Sequence, residues 1–171
     1  MTDLIFLDRC LRTNREYSYA YANGTYFLFH VTFNSGVSMY QQAFPSLNAL
    51  LDFYYSLEVV RTEKPKASIL TLAAKIINKT AMGLWSAIEK AKTVLKKKTD
   101  MSKGVATFTF RKKSNNEARK ARATTNLDLI PEAHRPTGTT TKTSNPINTT
   151  IPFFDLDKSA WRCFLAESIL Y

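Results

Sequence analysis

Catalysis and metal binding draw on few residue types, and this chain is sparing with them. It has two histidines, His30 and His134, and two cysteines, Cys10 and Cys163. A thiol nucleophile needs a base within hydrogen-bond reach and a third group to orient that base. Nothing near either cysteine in the sequence supplies such a set. Both thiols are expected to stay reduced, because disulfide scaffolds go with a secretory leader and more cysteines. The opening residues, Met1 to Asp8, carry an apolar patch between acids and no basic leader, so secretion is not expected. No His-Glu-x-x-His, no Cys-x-x-Cys and no acidic run at calcium-loop spacing occurs. The five glycines are scattered, so no glycine-rich phosphate loop is encoded. Asp155 and Asp157 precede a stretch that reads as helix, where a carboxylate serves as a cap. His30 reads as a structural residue on the polar face of a strand. The expectation is a protein that is not an enzyme and takes no metal and no cofactor.

The chemistry left is that of cations. The net charge is +10, and it is concentrated. Residues 1–78 hold seven basic and six acidic side chains, and residues 123–171 hold four and five. Residues 79–122 hold thirteen basic and three acidic ones, so this block carries the whole excess. Such a block repels itself unless something anionic compensates it. The candidate anion-binding residues are Lys90, Lys92, Lys96, Lys97, Lys98, Lys103, Arg111, Lys112, Lys113, Arg119, Lys120 and Arg122. Each phosphate they neutralise releases counterions, which gives salt-sensitive binding without sequence readout. The same lysines would attract an anionic lipid surface. Phe108 and Phe110 adjoin Arg111, but strand alternation assigns them to the core.

Folded elements must carry these cations. The chain is 44% apolar and 12% aromatic, enough for a real core. The reading is one α+β domain, residues 1–171, with an antiparallel β-meander packed on three or four helices. Residues 17–42 form the meander. Tyr17, Tyr19 and Tyr21 alternate, and Asn23-Gly24 suits a tight hairpin. In Tyr26-Phe-Leu-Phe-His-Val-Thr-Phe33, one face holds Phe27, Phe29, Val31 and Phe33. The other holds Tyr26, Leu28, His30 and Thr32. After Pro45 the period becomes helical. Ser46 caps a helix burying Leu47, Leu50, Leu51 and Tyr54. A short strand, Leu57 to Arg61, follows. Pro65 opens a second helix with Ile69, Leu72, Ala73, Ile76 and Ile77 on one face. Thr80 caps a third, with Leu84, Trp85, Ile88, Ala91 and Leu95 as its buried stripe. Residues 79–122 are then a basic helix and strand region. Its strand alternates Ala106, Phe108 and Phe110 against Val105, Thr107 and Thr109, and residues 114–123 read as a flexible basic run. Leu127 to Ile130 reads as a short strand and 134–150 as a polar surface loop. Ile151 to Tyr171 ends in a helix that places Trp161, Phe164, Leu165 and Ile169 on the core.

In order and spacing, residues 26–78 resemble the core of rhabdovirus matrix proteins. The likeness runs from the aromatic strand through the helix of Ser46 to Tyr55 and the turn Arg61-Thr-Glu-Lys-Pro65 to the aliphatic helix of Ser68 to Ile77. Lys103-Gly-Val-Ala-Thr-Phe-Thr-Phe110 is similar to a later strand of that family. The resemblance implies a viral matrix-type assembly protein, of the plant-infecting type given its length. Such a protein links viral ribonucleoprotein or RNA, an anionic membrane surface and its own copies as a homo-oligomer. It would reside in the virion and host cytoplasm, peripheral to membrane. Neither a Pro-Pro-x-Tyr nor a Pro-Thr-Ala-Pro budding motif is present, and the charge lies inside the chain rather than in an N-terminal arm. The alternative is a non-catalytic nucleic-acid-binding viral accessory protein, of silencing-suppressor or movement type. An echo of the SH2 module at Phe44 to Tyr55 fails, because the strand Tyr26 to Phe33 has no arginine to bind phosphate.

Overall fold

A computed structural model describes residues 5–10, 15–32, 38–57, 65–136 and 148–170. The α+β class expected from the change of period is what it shows, with two antiparallel sheets and three α-helices among the described residues. The residues cluster into two compact units, Met1–Trp85 and Ser86–Tyr171.

The first unit opens with strands β1 (Ile5–Cys10), β2 (Arg15–Ala22), β3 (Thr25–Thr32) and β4 (Ser38–Phe44), hydrogen-bonded in that order. Between β2 and β3, Asn23 and Gly24 both have positive φ, 51° and 80°. A two-residue turn whose twist matches that of the strands needs this geometry, and asparagine followed by glycine tolerates it best. The turn sets the register, with Tyr21 opposite Tyr26, Tyr19 opposite Leu28 and Tyr17 opposite His30. That face is the covered one: Tyr17, Tyr19, Leu28 and Phe44 are buried, whereas Phe27, Phe29 and Val31 are only half-buried. His30 therefore does not lie on a polar face. It sits between Tyr17, edge-on at 5.8 Å, and Tyr40, stacked at 5.0 Å.

Helix α1 (Leu47–Ser56) starts at Ser46, whose Oγ accepts from the Ala49 amide at 3.1 Å. Its buried residues are the expected stripe of Leu47, Leu50, Leu51 and Tyr54, joined by Tyr55. Tyr54 meets Tyr17 at 5.5 Å. Helix α2 (Ala67–Thr80) buries Leu70, Leu72, Ala73, Ile76 and Ile77. Thr80 ends α2 rather than capping the next helix: its Oγ1 donates to the Ile76 carbonyl at 2.8 Å, and Ala81 follows with φ 53°. The strand expected at Leu57 to Arg61 lies largely outside the described residues.

Helix α3 (Leu84–Lys103) has all but its first two residues in the second unit. Its buried residues are Leu84, Ala87, Ile88, Ala91, Val94 and Met101. Trp85 is exposed and Leu95 only half-buried, because 3.6 residues per turn carries the stripe onto Val94 instead. The sheet of this unit comprises β5 (Ala106–Arg111), β6 (Ala118–Thr124), β7 (Thr150–Asp155), β8 (Ala160–Leu165) and β9 (Ile169–Leu170), in the order β8-β7-β6-β5-β9. The last strand returns beside the first, as a curled meander requires.

Three expectations change here. Residues 114–123 are not a flexible run: Ala118 to Ala123 pairs with β5, because Arg119, Ala121 and Ala123 alternate with Lys120 and Arg122. Leu127–Leu129 is a 3-10 turn rather than a strand, closed by the Asn126 side chain on the Asp128 amide at 3.0 Å. The C-terminal helix is absent. Its residues form the hairpin β7–β8 with a 3-10 turn at Ala166–Ser168, and alternation puts Phe153 and Phe164 inside. There they join Phe108 and Phe110, with ring centroids 4.8–6.0 Å apart. Four such rings, each contributing about 1.5–3 kcal/mol on burial, outweigh the helical spacing of Trp161, Phe164 and Ile169. Most of the loop expected at 134–150 lies outside the described residues. Among the described residues, no helix is long and apolar enough to cross a membrane.

Candidate anion-binding surface

The twelve cations read from the sequence fall into two groups. Several are tied to the protein. Lys90 donates to the Ile169 carbonyl of β9, and Lys97 donates to the Thr107 carbonyl of β5 at 2.9 Å. Burial, then the neighbouring charge of Arg111, holds the Lys90 pKa below its usual value. Arg119 pairs with Asp155, which is 1% exposed, and Arg162 approaches the same carboxylate at 3.6 Å. Asp155 is thus no helix cap: one oxygen meets these cations while the other accepts from the Asp157 amide at 3.1 Å.

The other group faces water. Lys96 and Lys103 are exposed on α3. Lys92 pairs with Glu89 at 2.7 Å, and Arg122 pairs with Asp157 at 3.2 Å. Such exposed pairs are weak and can exchange for a ligand phosphate. Strand register places Lys120 opposite Thr109 and Arg122 opposite Thr107, on the face that also carries Arg111. Arg111 donates to the Asn116 carbonyl of its own hairpin at 3.0 Å. Lys112 pairs with Glu117 at 2.9 Å. Hydrogen bonds from Lys112 and then Asn115, with the Lys112 charge, hold the Glu117 carboxyl below the usual range. Lys98 is half-buried, and burial lowers its pKa.

At the end of the β5–β6 hairpin lies an open cleft of about 440 Å³. Phe110, Lys112, Lys113, Ser114, Arg119, Trp161, Arg162 and Cys163 line it. Four of these are cations and none is a carboxylate. Trp161 is 40% exposed, and its indole N–H donates to the His134 carbonyl at 2.8 Å. The ring stands edge-on to Phe154 at 5.8 Å. Lys112, Lys113 and Arg119 were read from the sequence. Arg162 and Trp161 were not, because they lie outside the basic block in a stretch read as helix. The alternation of Ala160, Arg162 and Phe164 was the signal that could have placed Arg162 on the inner face beside Asp155.

Residues 94–170 match a family model, WYL_2, described as an Sm-like SH3 beta-barrel fold. Comparison with curated proteins and with solved structures gave no match. The matched residues begin within α3 and run through β9, so every strand of the second sheet lies inside them. A helix followed by five strands whose last pairs with the first is consistent with a small barrel. The basic cleft and the Lys120–Arg122 face both lie within this matched segment, which places the charge block largely on one fold.

Chemically, the cleft offers four cations, three of them shared with the carboxylates of Glu117 and Asp155 at its margin, and the exposed ring of Trp161. Among the described residues, no group of three or more His, Cys, Asp or Glu side chains could hold a metal ion. The His134 ring packs on Phe154 at 5.5 Å, and Cys163 is free and exposed at the cleft. The Cys10 side chain lies outside the described residues.

Proposed function

We propose that the chain is a non-catalytic binding protein whose second unit holds a polyanion, RNA foremost, by its phosphates. The observation that carries this reading is the cleft lined by Lys112, Lys113, Arg119 and Arg162 with no acidic side chain in its lining. Trp161 at its rim offers a stacking surface for a base, and bases stack on aromatic rings without regard to sequence. Lys120 and Arg122 extend the positive face along β6. The fold similarity to an Sm-like barrel is compatible with a binding module.

The matrix-type role is the second reading, favoured by one observation in the first unit. The edge strand β4 exposes Met39 (66%) and Tyr40 (55%), and exposed apolar residues on a strand edge invite pairing with another copy or contact with lipid. Fluorescence anisotropy with a labelled single-stranded RNA, beside flotation with vesicles containing anionic lipid, separates the two. The binding reading expects RNA affinity that falls at least tenfold when Lys113 and Arg162 are both replaced by glutamine, since each charged contact contributes about 1.5–3 kcal/mol. Vesicle flotation with concentration-dependent self-association, and no RNA binding, would overturn it in favour of matrix-type assembly on lipid. Loss of neither activity in the double variant would remove the cleft from both readings.

A further inference from the structure

The four-stranded sheet of the first unit has two edges, and the chain treats them differently. Strand β1 carries Asp8 and Arg9 in its sequence, and its register with β2 shifts between Phe6 and Asp8. Charged residues and bulges keep a free strand edge from pairing with another chain. Strand β4 has neither. Its residues, Ser38-Met-Tyr-Gln-Gln-Ala-Phe44, include no charge and no proline. They pair with β3 in unbroken register, from Ser38 opposite Thr32 to Phe44 opposite Tyr26. Among the described residues no strand pairs with the other side of β4. Met39, Tyr40, Gln41 and Ala43 are exposed along it.

We infer that β4 is a dimerisation strand, pairing antiparallel with β4 of a second copy about a two-fold axis at Gln41. The strand supplies its own complement. Gln41 is its central residue, so full overlap sets Met39 of one copy opposite Ala43 of the other and Tyr40 opposite Gln42. Each larger side chain then meets a smaller one. Register with β3 puts Met39, Gln41 and Ala43 on the face that carries Val31, Phe29 and Phe27, all three half-buried. Met39 of one copy would thus reach across the small Ala43 of the other towards Phe27, and a thioether packs well against an aromatic ring. Nothing on the edge repels its like, because the strand is uncharged and residues 1–78 carry seven basic against six acidic side chains. The joined sheet of two four-stranded halves ends in β1 on both sides, so association stops at two copies. One strand pair is small beside standard interfaces, and a reversible dimer with a Kd on the order of 10–100 µM is expected. The inference narrows the second reading at this edge to one occupant and owes nothing to the polyanion cleft.

The test uses the full chain. Sedimentation velocity from about 2 to about 200 µM, a range that spans this Kd, should show monomer passing to dimer and no larger species. Met39→Lys with Gln41→Lys gives β4 the protection of a charged edge and sets like charges across the axis. Dimerisation should weaken about tenfold or more, with an unchanged circular dichroism spectrum because both side chains are exposed. Pulsed electron spin resonance reads the geometry separately. Ser18, Phe29 and Gln41 lie in one row across the sheet. A spin label at Ser18→Cys, in a chain with Cys10→Ser and Cys163→Ser, should report two copies separated by five interstrand spacings, about 24 Å between backbones. Should the lysine pair disturb the sheet, this distance decides alone. Lys113→Gln with Arg162→Gln, in the polyanion cleft, should leave the dimer unchanged, which tells failure of this inference from failure of the RNA reading. Monomer at every concentration overturns the inference, as do open-ended polymers, a dimer that the lysine pair leaves intact, or a label separation beyond about 40 Å. A chain that stays monomeric, floats with vesicles of phosphatidylserine and phosphatidylcholine, and stops floating when Met39 and Tyr40 are replaced by serine gives the edge to lipid and overturns it as well.

Discussion

Asp155 sorts the cations of the second unit. Buried almost completely, it draws Arg119 inward and holds Arg162 at the cleft wall. Removing one partner of a buried pair leaves the other desolvated and unpaired, which costs about 3–5 kcal/mol in full burial. Both arginines keep access to water, so Asp155→Asn is expected to cost about 2–3 kcal/mol. A urea denaturation series checks this, and a shift under about 1 kcal/mol would mean the pair is not a structural support. Tyr19 marks the alkaline limit of the first unit. Burial, with a smaller contribution from Tyr26, raises its pKa to about 12 from 10.0. A phenol that is neutral in the folded state and ionises more readily in the unfolded one stabilises the fold fully below pH 10. That contribution is lost as pH climbs from 10 towards 12. Phenolate absorbance should therefore show a late-titrating component that loses one phenol's amplitude in Tyr19→Phe. The variant's stability should also fall less between those pH values. A titration in which Tyr19→Phe removes no late component would contradict the buried position of Tyr19.

The elements succeeded or failed as readings according to how local their causes are. Helix α1 is encoded by a cap and a stripe, and both sit within a few residues of each other. Ser46→Ala should cost about 1 kcal/mol, read as a lower melting temperature without change in the β signal of the circular dichroism spectrum. Thr124 does a different job, tying β6 to the end of α3 through the Gly104 carbonyl while accepting from the Asn126 amide at 3.1 Å. Thr124→Val keeps the shape and removes both bonds, so a loss of about 1–3 kcal/mol is expected in the same denaturation assay. A neutral outcome would mean the tie is replaced by water. Strand β6 was hidden because its inward positions are Arg119, Ala121 and Ala123, one charged and two small. Apolar alternation cannot register such a strand. The hairpin β7–β8 was hidden for the opposite reason. Its aromatic residues also fit a helical spacing, and only the four-ring cluster of Phe108, Phe110, Phe153 and Phe164 chooses between the two periods.

At the scale of the whole molecule, a net charge of +10 acts through the cations that face water. If about six phosphates are neutralised, the log–log salt slope of RNA binding lies near −4 to −5, at roughly 0.7–0.9 per contact. The fold decides which substitutions change it. Of Lys96, Lys97 and Lys98, Lys97 holds a β5 carbonyl and Lys98 is half-buried, so replacing all three by glutamine should flatten the slope by only about one. Replacing Lys113, Lys120 and Arg162 should flatten it by about two to three. A salt series on both triple variants is the measurement, and the reverse ranking would place the polyanion on α3.

Composition and periodicity alone determined the α+β class, the tyrosine hairpin with its Asn23-Gly24 turn, the capped helix after Pro45 and the place of the charge block along the chain. These follow from local rules: φ preference, side-chain period and the count of charges. Which cations remain for a ligand was decided only in three dimensions, because it depends on partners far away in sequence. Lys90 meets Ile169, and Arg119 meets Asp155. The same holds for Arg162 and Trp161, which join the cleft only once β8 lies beside β7. Strand order and ion pairing across more than thirty residues leave no periodic trace, so no local reading of the chain could have placed them.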